Sequence, residues 1–380
     1  YHAGSRADLM HHLLAALLVL HGLIHLMGVA KAFGLAELEQ LTRPITPAMG
    51  AVWGAAGAFF LLTAVGVYRW PRWWWAFAAV AIVLSTVAIV PSWSDARAGA
   101  AVNVAIALAA AVACLLAGPW SLRAAYERDQ RVALAAPSAR GPGAVVTDQD
   151  LAPLPAPVQH YLRLSGIVGH PRVASFRVRM HGRIRSGPDA GWMPLVAEQV
   201  TTLEPPVRLF YFDARMFGIP APGYHRFTDG QATMVVKALG LVPVAREGGE
   251  VMTRSETVTF LNDLCLMAPA GLLTPAIRWE AVDNRQARAI LTLGPHTVTG
   301  TLVFAPDGRL ADFWSDDRAR AQPDGTVVEG QRWSTPILTH RAFGPFTLAA
   351  RGDARYQAPD GDAAYIELDI DDVTYDLTPP

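Results

Sequence analysis

Four long apolar segments fill the first third of the chain and constrain its fold more than any other feature. They cover residues 9–30, 48–67, 73–90 and 98–118. A helix of about 20 predominantly apolar residues is long enough to cross the hydrocarbon core of a bilayer. A cleaved signal peptide would account for the first segment alone, but not for three more behind it. The sequence therefore predicts a bundle of four transmembrane helices over residues 1–120.

Basic residues in the short loops predict the orientation of these helices. Cytoplasmic loops carry the excess of Lys and Arg, and one side of the predicted membrane has twice as many basic residues as the other. We therefore expect a multi-pass protein of the bacterial inner membrane with both termini in the cytoplasm. The richer side has Arg6, Arg69, Arg72, Arg123, Arg128 and Arg131, and the poorer side has Lys31, Arg43 and Arg97.

Two histidines, His21 and His25, lie inside the first apolar segment. Their spacing puts both on one helix face, and ionisable groups at membrane depth are costly and often functional. Imidazoles bind metal ions and haem iron, so a haem- or metal-binding protein is one hypothesis. The other three segments contain no histidine, and no cofactor is strongly indicated. The favoured interpretation is neutral imidazoles that hydrogen-bond to neighbouring helices, through Asn103, Ser85 or Thr86.

After residue 150 the chain shows the period-two alternation of β-strands. Apolar and basic residues alternate over residues 176–181. The turn-forming sequence Pro-Asp-Gly begins at Pro306, Pro323 and Pro359. About ten to twelve strands joined mostly by hairpins predict a mainly antiparallel β domain over residues 151–380. Further alternating runs cover residues 207–213, 287–293, 297–304 and 365–370.

Two helices are predicted beside these strands. A charged segment and a linker rich in Ala, Pro and Gly occupy residues 121–150, and a short helix follows at 157–164. A longer apolar helix is predicted at 254–273. Its side chains need burial, most directly across the concave face of a curved sheet or half-barrel. Such an arrangement can enclose an apolar pocket, or only its own core.

The β domain contains no nucleotide-binding glycine motif, nucleophile elbow or zinc-spaced cysteine set, so no catalytic residue is predicted. The net charge of −1 and the lack of a basic stripe argue against a nucleic-acid partner. The leading hypothesis is a membrane-tethered binding domain for a lipid or another apolar ligand. Its predicted ligand-binding residues are Trp192, Gln199, Phe260, Leu264, Met267, Arg318, Arg332 and Trp333.

Arg318 and Arg332 are expected at the mouth of that pocket, because guanidinium groups bind polar headgroups through paired hydrogen bonds. An ordinary cross-strand ion pair with Asp317 is the alternative. A different function class is an accessory subunit of a larger membrane complex, or a homo-oligomer. It rests on interfacial tryptophans and on the small residues of the fourth segment, which allow close helix packing.

Several short motifs resemble an uncharacterised bacterial family of unknown function. The resemblance covers most of residues 150–377 and implies a β-rich domain that often follows a few membrane helices, with no established activity. The four apolar segments faintly resemble four-helix membrane proteins of the DoxX type. The motifs are Leu154-Pro155-Ala156-Pro157-Val158-Gln159-His160-Tyr161-Leu162, Gly166-Ile167-Val168-Gly169, Gly182, Trp192-Met193-Pro194 through Gln199, and Gly240-Leu241-Val242-Pro243-Val244.

Overall fold

The computed structural model divides the chain into two compact units, Tyr1–Ala124 and Ala125–Pro380. Each unit is described by itself. The structure describes residues 2–136, 144–187, 189–321, 326–357 and 361–378, and the side chains from residue 9 onward except that of residue 321. Part of the predicted linker, the Pro-Asp-Gly sequence at Pro323, and the first two residues of the one at Pro359 lie outside the described residues.

The first unit is helical. Among the described residues, three helical stretches are long and apolar enough to cross a membrane: Leu9–Ala32, Pro47–Arg69 and Trp74–Ala135. The third stretch includes a 3-10 turn, Val90–Ser92, with Pro91 inside it. A proline removes a backbone donor and breaks the regular helix. The helices are α1 (His2–Ala32), α2 (Pro47–Arg69), α3 (Trp74–Ile89), α4 (Trp93–Ala117) and α5 (Leu122–Ala135).

Helices α1 and α2 cross at glycines. A Cβ atom on Gly57 would lie 2.8 Å from the carbonyl oxygen of Gly22, and one on Gly28 would lie 2.2 Å from the ring of Trp53. Glycine at these positions lets the two backbones approach closely, as small residues do in membrane helix pairs. Phe60 and Leu18 are fully buried in the packed interior of this unit.

The second unit is built on one curled antiparallel sheet of fourteen strands, a half-barrel. Its strand order is β6-β5-β4-β3-β2-β1-β16-β15-β13-β10-β9-β8-β7, with β14 paired to β15 and β11 to β12 in a separate pair. The strands are β1 (Ser175–Ile184), β2 (Met193–Leu203), β3 (Pro206–Met216), β4 (Ile219–Thr228), β5 (Gln231–Ala238), β6 (Val242–Gly248), β7 (Ile277–Asp283), β8 (Gln286–Leu293), β9 (His296–Phe304), β10 (Leu310–Ser315), β11 (Arg320–Ala321), β12 (Val327–Val328), β13 (Trp333–Ser334), β14 (Ile337–Phe343), β15 (Phe346–Tyr356) and β16 (Ala363–Tyr375).

Alternation in the sequence matches the burial of the strands. Phe176, Val178 and Met180 of β1 are buried, whereas Arg179 and His181 are exposed. One face of a half-buried strand points into the core because successive side chains point to opposite faces. The described part of the chain has sixteen strands, more than the ten to twelve that the sequence predicts. Three of them, β11, β12 and β13, are only two residues long each and carry no periodic signal. The turn at Pro306 joins β9 to β10, and its Gly308 has a positive φ of 88°.

The predicted long helix is confirmed. It consists of α8 (Gly249–Met267) followed by a 3-10 turn, Pro269–Leu273. It packs on the inner face of the half-barrel, against β5, β9, β10 and β15. Nearly every α8 side chain is buried, including Glu256 and Asp263. The sequence interpretation of an apolar helix is therefore incomplete, because charged groups also lie inside. Two shorter helices precede the sheet, α6 (Asp148–Leu151) and α7 (Ala156–Leu164).

The charged segment after the fourth apolar run is helical, as α5. Its Tyr126 is fully buried and lies between the rings of Tyr211 and Tyr224, with ring centroids 5.8 and 5.9 Å away. Asp129 accepts hydrogen bonds from the hydroxyl of Tyr224 at 2.8 Å and from Nε of Arg226 at 3.0 Å. Residues 125–135 thus cover the side of β3 and β4 that faces away from α8.

Candidate functional site

A buried ion cluster joins α8 to the inner face of the sheet. Nε of Arg208 on β3 donates to Oδ2 of Asp263 at 2.6 Å, and Nη1 donates to Oε2 of Glu256 at 2.8 Å. Nη2 of Arg208 donates to the side-chain oxygen of Gln199 at 3.0 Å. The amide of Gln199 in turn donates to Asp263 at 2.7 Å. The guanidinium of Arg208 thus donates hydrogen bonds to three acceptors, as a buried charge requires.

The two carboxylates of this cluster have opposite pKa shifts. Burial disfavours the charge of Glu256, but the charge of Arg208, with His225 nearby, outweighs burial and lowers the pKa of Glu256 to about 2. Burial also disfavours the charge of Asp263, and here it prevails over Arg208, so that the pKa of Asp263 is raised. Nδ1 of His225 lies 3.5 Å from Oε1 of Glu256 and makes no hydrogen bond within the described residues.

A second cationic group lies in an aromatic cage on the same inner face. The Arg318 guanidinium lies 4.7 Å above the ring of Trp333 and 5.7 Å from that of Tyr356. Rings of Tyr356 and Tyr365 stack at 5.4 Å, and Nε1 of Trp333 donates to the hydroxyl of Tyr365 at 3.1 Å. Cation–π contact with these rings stabilises the charge of Arg318. We call Arg318, Trp333, Tyr356 and Tyr365 the Arg318 cage.

The cage is fixed to α8 by hydrogen bonds to the segment around Arg318. Nε of Arg318 donates to Oγ1 of Thr259 at 3.2 Å, and Nη1 donates to the hydroxyl of Tyr356. The neighbouring backbone of Ala319 donates to Ser255 at 3.1 Å and accepts from Tyr356 at 2.9 Å. Within the described residues Arg318 forms no salt bridge. The N–H groups of its half-buried guanidinium are therefore not paired with a carboxylate.

The sequence-predicted ligand residues fall in three different environments. Phe260, Leu264 and Met267 are 3%, 1% and 5% exposed and belong to the packed core. Gln199 belongs to the buried ion cluster, and Trp333 to the Arg318 cage. The structure thus brings Trp333 to Arg318, and Trp333 is buried in the same core cluster as the three apolar helix residues, at 3% exposure.

Trp192 and Arg332 lie elsewhere. Trp192 is half-buried between the guanidinium groups of Arg183 and Arg185, at 4.5 and 4.6 Å. Arg332 is exposed, stacks on Trp314 at 3.7 Å and pairs with Asp316 at 3.3 Å. The expected neighbourhood of β10 and β13 is confirmed by the pairing of Ser315 with Trp333. Adjacent residues of a strand point to opposite faces, so Arg332 does not share the cage of Arg318.

Sequence reasoning missed Arg208, Glu256 and Asp263. A signal was present, because Glu256 and Asp263 are seven residues apart and therefore lie on one face of α8. Two carboxylates on one face of a helix that must be buried require a buried cation, and Arg208 is that cation. The sequence alone did not identify which basic residue it would be.

Two of the three predicted hydrogen-bond partners of His21 and His25, Asn103 and Ser85, are confirmed in the first unit. Nε2 of His21 lies 3.0 Å from Oδ1 of Asn103, and Nε2 of His25 lies 2.9 Å from Oγ of Ser85. Nδ1 of His25 lies 2.8 Å from the carbonyl oxygen of His21. A metal ion at His25 would have to displace one of these contacts. Among the described residues, no group of three or more His, Cys, Asp and Glu side chains is arranged to hold a metal.

Cys265 is fully buried on α8, and burial, the largest cause, raises the pKa of its thiol. A thiol that stays protonated is a poor nucleophile. The hydroxyl of Tyr161 donates to the carbonyl oxygen of Cys265 at 2.6 Å. The surroundings of Cys265 are those of a core residue.

Comparison with known proteins gives a family and two distant structures. A model described as a family of unknown function, DUF6544, matches residues 144–368, whereas curated proteins give no match. A Vibrio parahaemolyticus domain described as an outer membrane lipoprotein-sorting protein has a TM-score of 0.33 and 9% identity, over 53% of this chain and 85% of that one. A DUF1329 family protein from Desulfovibrio piger has a TM-score of 0.33 and 11% identity, over 58% and 92%. At these scores neither structure indicates a function for this chain.

Proposed function

Given that the chain belongs to the family of unknown function DUF6544, we propose that it is a membrane-tethered binding protein for a lipid or another apolar molecule that carries an anionic group. The single observation that carries this proposal is the Arg318 cage. It combines a half-buried cation without a salt bridge, among the described residues, with aromatic walls on the inner face of a half-barrel.

The chemistry of the cage fits an anionic amphiphile. A guanidinium binds carboxylate or phosphate oxygens through charge-assisted hydrogen bonds, which are about twice as strong as neutral ones. The rings of Trp333 and Tyr356 are 3% and 5% exposed and form the buried base of the cage, so the half-buried guanidinium of Arg318 is the group that a headgroup would contact first. Arg320, with its guanidinium 5.5 Å from the ring of Tyr356, adds a second positive charge on the approach. By contrast, Arg208 already donates to two carboxylates and has little left for a ligand.

Attachment to the membrane is proposed through four crossings. Stretches Leu9–Ala32 and Pro47–Arg69 each suit one crossing. The third stretch has 62 residues, so at about 1.5 Å per residue it is far longer than one bilayer. Its parts α3 and α4 pack side by side after the break at Val90–Ser92, which supports two crossings. The excess of arginine on one side supports a cytoplasmic β unit.

Photocrosslinking tests this function. The full chain, in lipid nanodiscs, would be incubated with a diazirine-bearing palmitate, whose carboxylate supplies the anionic group, and the crosslinked peptides would be identified by mass spectrometry. We expect crosslinks in the peptides that contain Arg318 or Trp333. Replacement of a charge-assisted hydrogen-bond donor, Arg318→Met, should reduce these crosslinks about tenfold or more.

Arg332→Met is the matched control, because Arg332 directly precedes β13, stacks on a tryptophan and is exposed. It should leave the crosslinks unchanged. Equal crosslinking in Arg318→Met and in the unaltered chain would remove the cage from the binding site. Crosslinks confined to the helices of the first unit would contradict a binding function of the β unit.

A further inference from the structure

Two hairpin turns lie side by side at one end of the sheet. The turn between β3 and β4 is formed by Phe217 and Gly218, and the turn between β5 and β6 by residues 239–241. The backbone N–H of Leu239 donates to the carbonyl oxygen of Pro220 at 2.7 Å, which joins the two turns. We call residues 215–220 and 237–246 the hairpin tip.

The hairpin tip exposes large apolar side chains. Phe217 is 97% exposed, and Leu241 and Val242 are 59% and 55% exposed. Phe217 and Leu239 also have positive φ angles of 52° and 54°, where glycine or asparagine is usual and a bulky residue is uncommon. Adjacent exposed apolar side chains on a protruding end of a domain mark a contact surface. Ile219 and Val244 extend the same surface.

Basic residues surround this apolar surface. Arg215 lies near the end of β3, Lys237 lies near the end of β5 before the second turn, and Arg246 lies on the edge strand β6. Within the part of the chain that the structure describes, none of the three forms a salt bridge. Residues 214–222 and 235–246 contain no Asp or Glu. The tip is therefore apolar at its end and carries three basic residues beside it, and the nearest acidic residues, Asp213 and Glu247, lie just outside it.

We propose that the hairpin tip inserts into the surface of a bilayer that contains anionic lipids. Apolar side chains enter the boundary between headgroups and acyl chains, while basic residues remain at the level of the phosphates. A leaflet with anionic lipid attracts such basic groups, and the attraction falls off within a Debye length. Charge complementarity between these basic residues and lipid phosphates therefore favours an anionic lipid surface as the partner of the tip. This inference does not depend on a ligand at Arg318.

Spin labelling of the full chain tests it. A nitroxide would be attached to Phe217→Cys in a Cys114→Ala background; Cys265 remains because it is fully buried. Labelled protein would be placed in nanodiscs of phosphatidylcholine alone, or of phosphatidylcholine with phosphatidylglycerol. We would compare how often the nitroxide collides with oxygen, which concentrates in lipid, and how often it collides with a nickel chelate, which stays in water.

Asp229→Cys is the matched control, because Asp229 forms the turn at the opposite end of β4 and has a similar φ of 54°. At position 217 we expect the oxygen-to-nickel collision ratio to rise several-fold when phosphatidylglycerol is present. At position 229 we expect this ratio to remain that of a water-exposed label. Lys237→Gln with Arg246→Gln should reverse most of the rise.

Two outcomes overturn the proposal. One is a label at position 217 that stays as accessible to the nickel chelate as the label at 229 in both lipid mixtures. The other is dipolar broadening between labels at position 217 that is independent of lipid composition, which would make the tip a contact between two copies of the chain. Loss of the fatty-acid crosslinks at Arg318 would leave this result unaffected, so the two proposals fail separately.

Discussion

Nε of Arg208 on β3 lies 2.6 Å from Oδ2 of Asp263 on α8. The same guanidinium reaches Glu256, two helical turns away, at 2.8 Å. One arginine thus connects β3 to two positions on the buried face of α8. Hydrogen bonds from Arg318, Ala319 and Tyr161 hold the same helix, but Arg208 is the only one of these groups that pairs with its carboxylates.

Arg208→Met should lower the free energy of unfolding of the β unit by about 3–5 kcal/mol, because removing one partner leaves buried carboxylates without compensation. Thermal unfolding of the solubilised full chain, followed by circular dichroism of the strands, measures the loss. Arg226→Met, which breaks a partly exposed pair with Asp129, is the control and should cost about 1 kcal/mol or less. A triple variant that adds Glu256→Gln and Asp263→Asn should recover part of the loss. No recovery would contradict the electrostatic cause.

Asp312 gives the β unit a pH-dependent stability. Burial, only partly opposed by hydrogen bonds from the backbone of Phe313 and Thr335, raises its pKa from 3.8 to about 6. Since the folded-state pKa lies above the unfolded one, the contribution of Asp312 to stability is complete below about pH 4 and is lost as the pH rises through 6. Asp312→Asn should remove this loss, about 1–2 kcal/mol between these pH values.

The measurement is the unfolding midpoint from pH 4 to pH 7, compared between the unaltered chain and the variant. Asp316→Asn, at a neighbouring exposed carboxylate, should leave the pH profile unchanged. Parallel profiles for Asp312→Asn and the unaltered chain would mean that Asp312 is not the group that titrates.

Gly182 is required by the close approach of β1 and β16. A Cβ atom at this position would lie 1.9 Å from the carbonyl oxygen of Glu367, an atom of a paired backbone that cannot rotate away. Gly182→Ala should therefore destabilise the β unit by about 1–3 kcal/mol, the usual cost of overpacking. Gly187→Ala is the control, since nothing lies within 4 Å of its added Cβ. Similar unfolding midpoints for the two variants would show that the strands can separate without cost.

Ser85 on α3 contacts His25 on α1 and Asn103 on α4, and so connects three helices of the first unit. Ser85→Ala should reduce the stability of the bundle by about 1 kcal/mol, the usual worth of an interhelical hydrogen bond in a membrane. Titration with a denaturing detergent, followed by tryptophan fluorescence, measures the change. Thr63→Val is the control, because Oγ1 of Thr63 bonds only within its own helix, to the carbonyl oxygen of Phe59. An equal effect of both variants would contradict a linking role for Ser85.

Several local features of the structure could be predicted from the sequence. Alternation at residues 176–181 correctly predicted β1, and apolar spacing correctly predicted the helix at 254–273. The partners of His21 and His25 were also predicted correctly, because few polar side chains occur in the apolar segments. By contrast, Arg332 was expected beside Arg318 and lies on the other face, since one residue of register along a strand decides the face.

The sequence by itself determined the apolar helices, the antiparallel strands and the buried helix α8. Each is recognised from the pattern of apolar and polar residues within ten to twenty neighbouring positions. Only the tertiary structure decided which charges meet. Arg208 is 48 residues from Glu256 and 55 from Asp263, and Arg318 is 38 from Tyr356. The curl of the sheet around α8 brings these groups together, and although the sequence predicts a curved sheet, no local pattern encodes which side chains of separate strands that curl brings into contact. The ion cluster and the cage are therefore properties of the folded half-barrel.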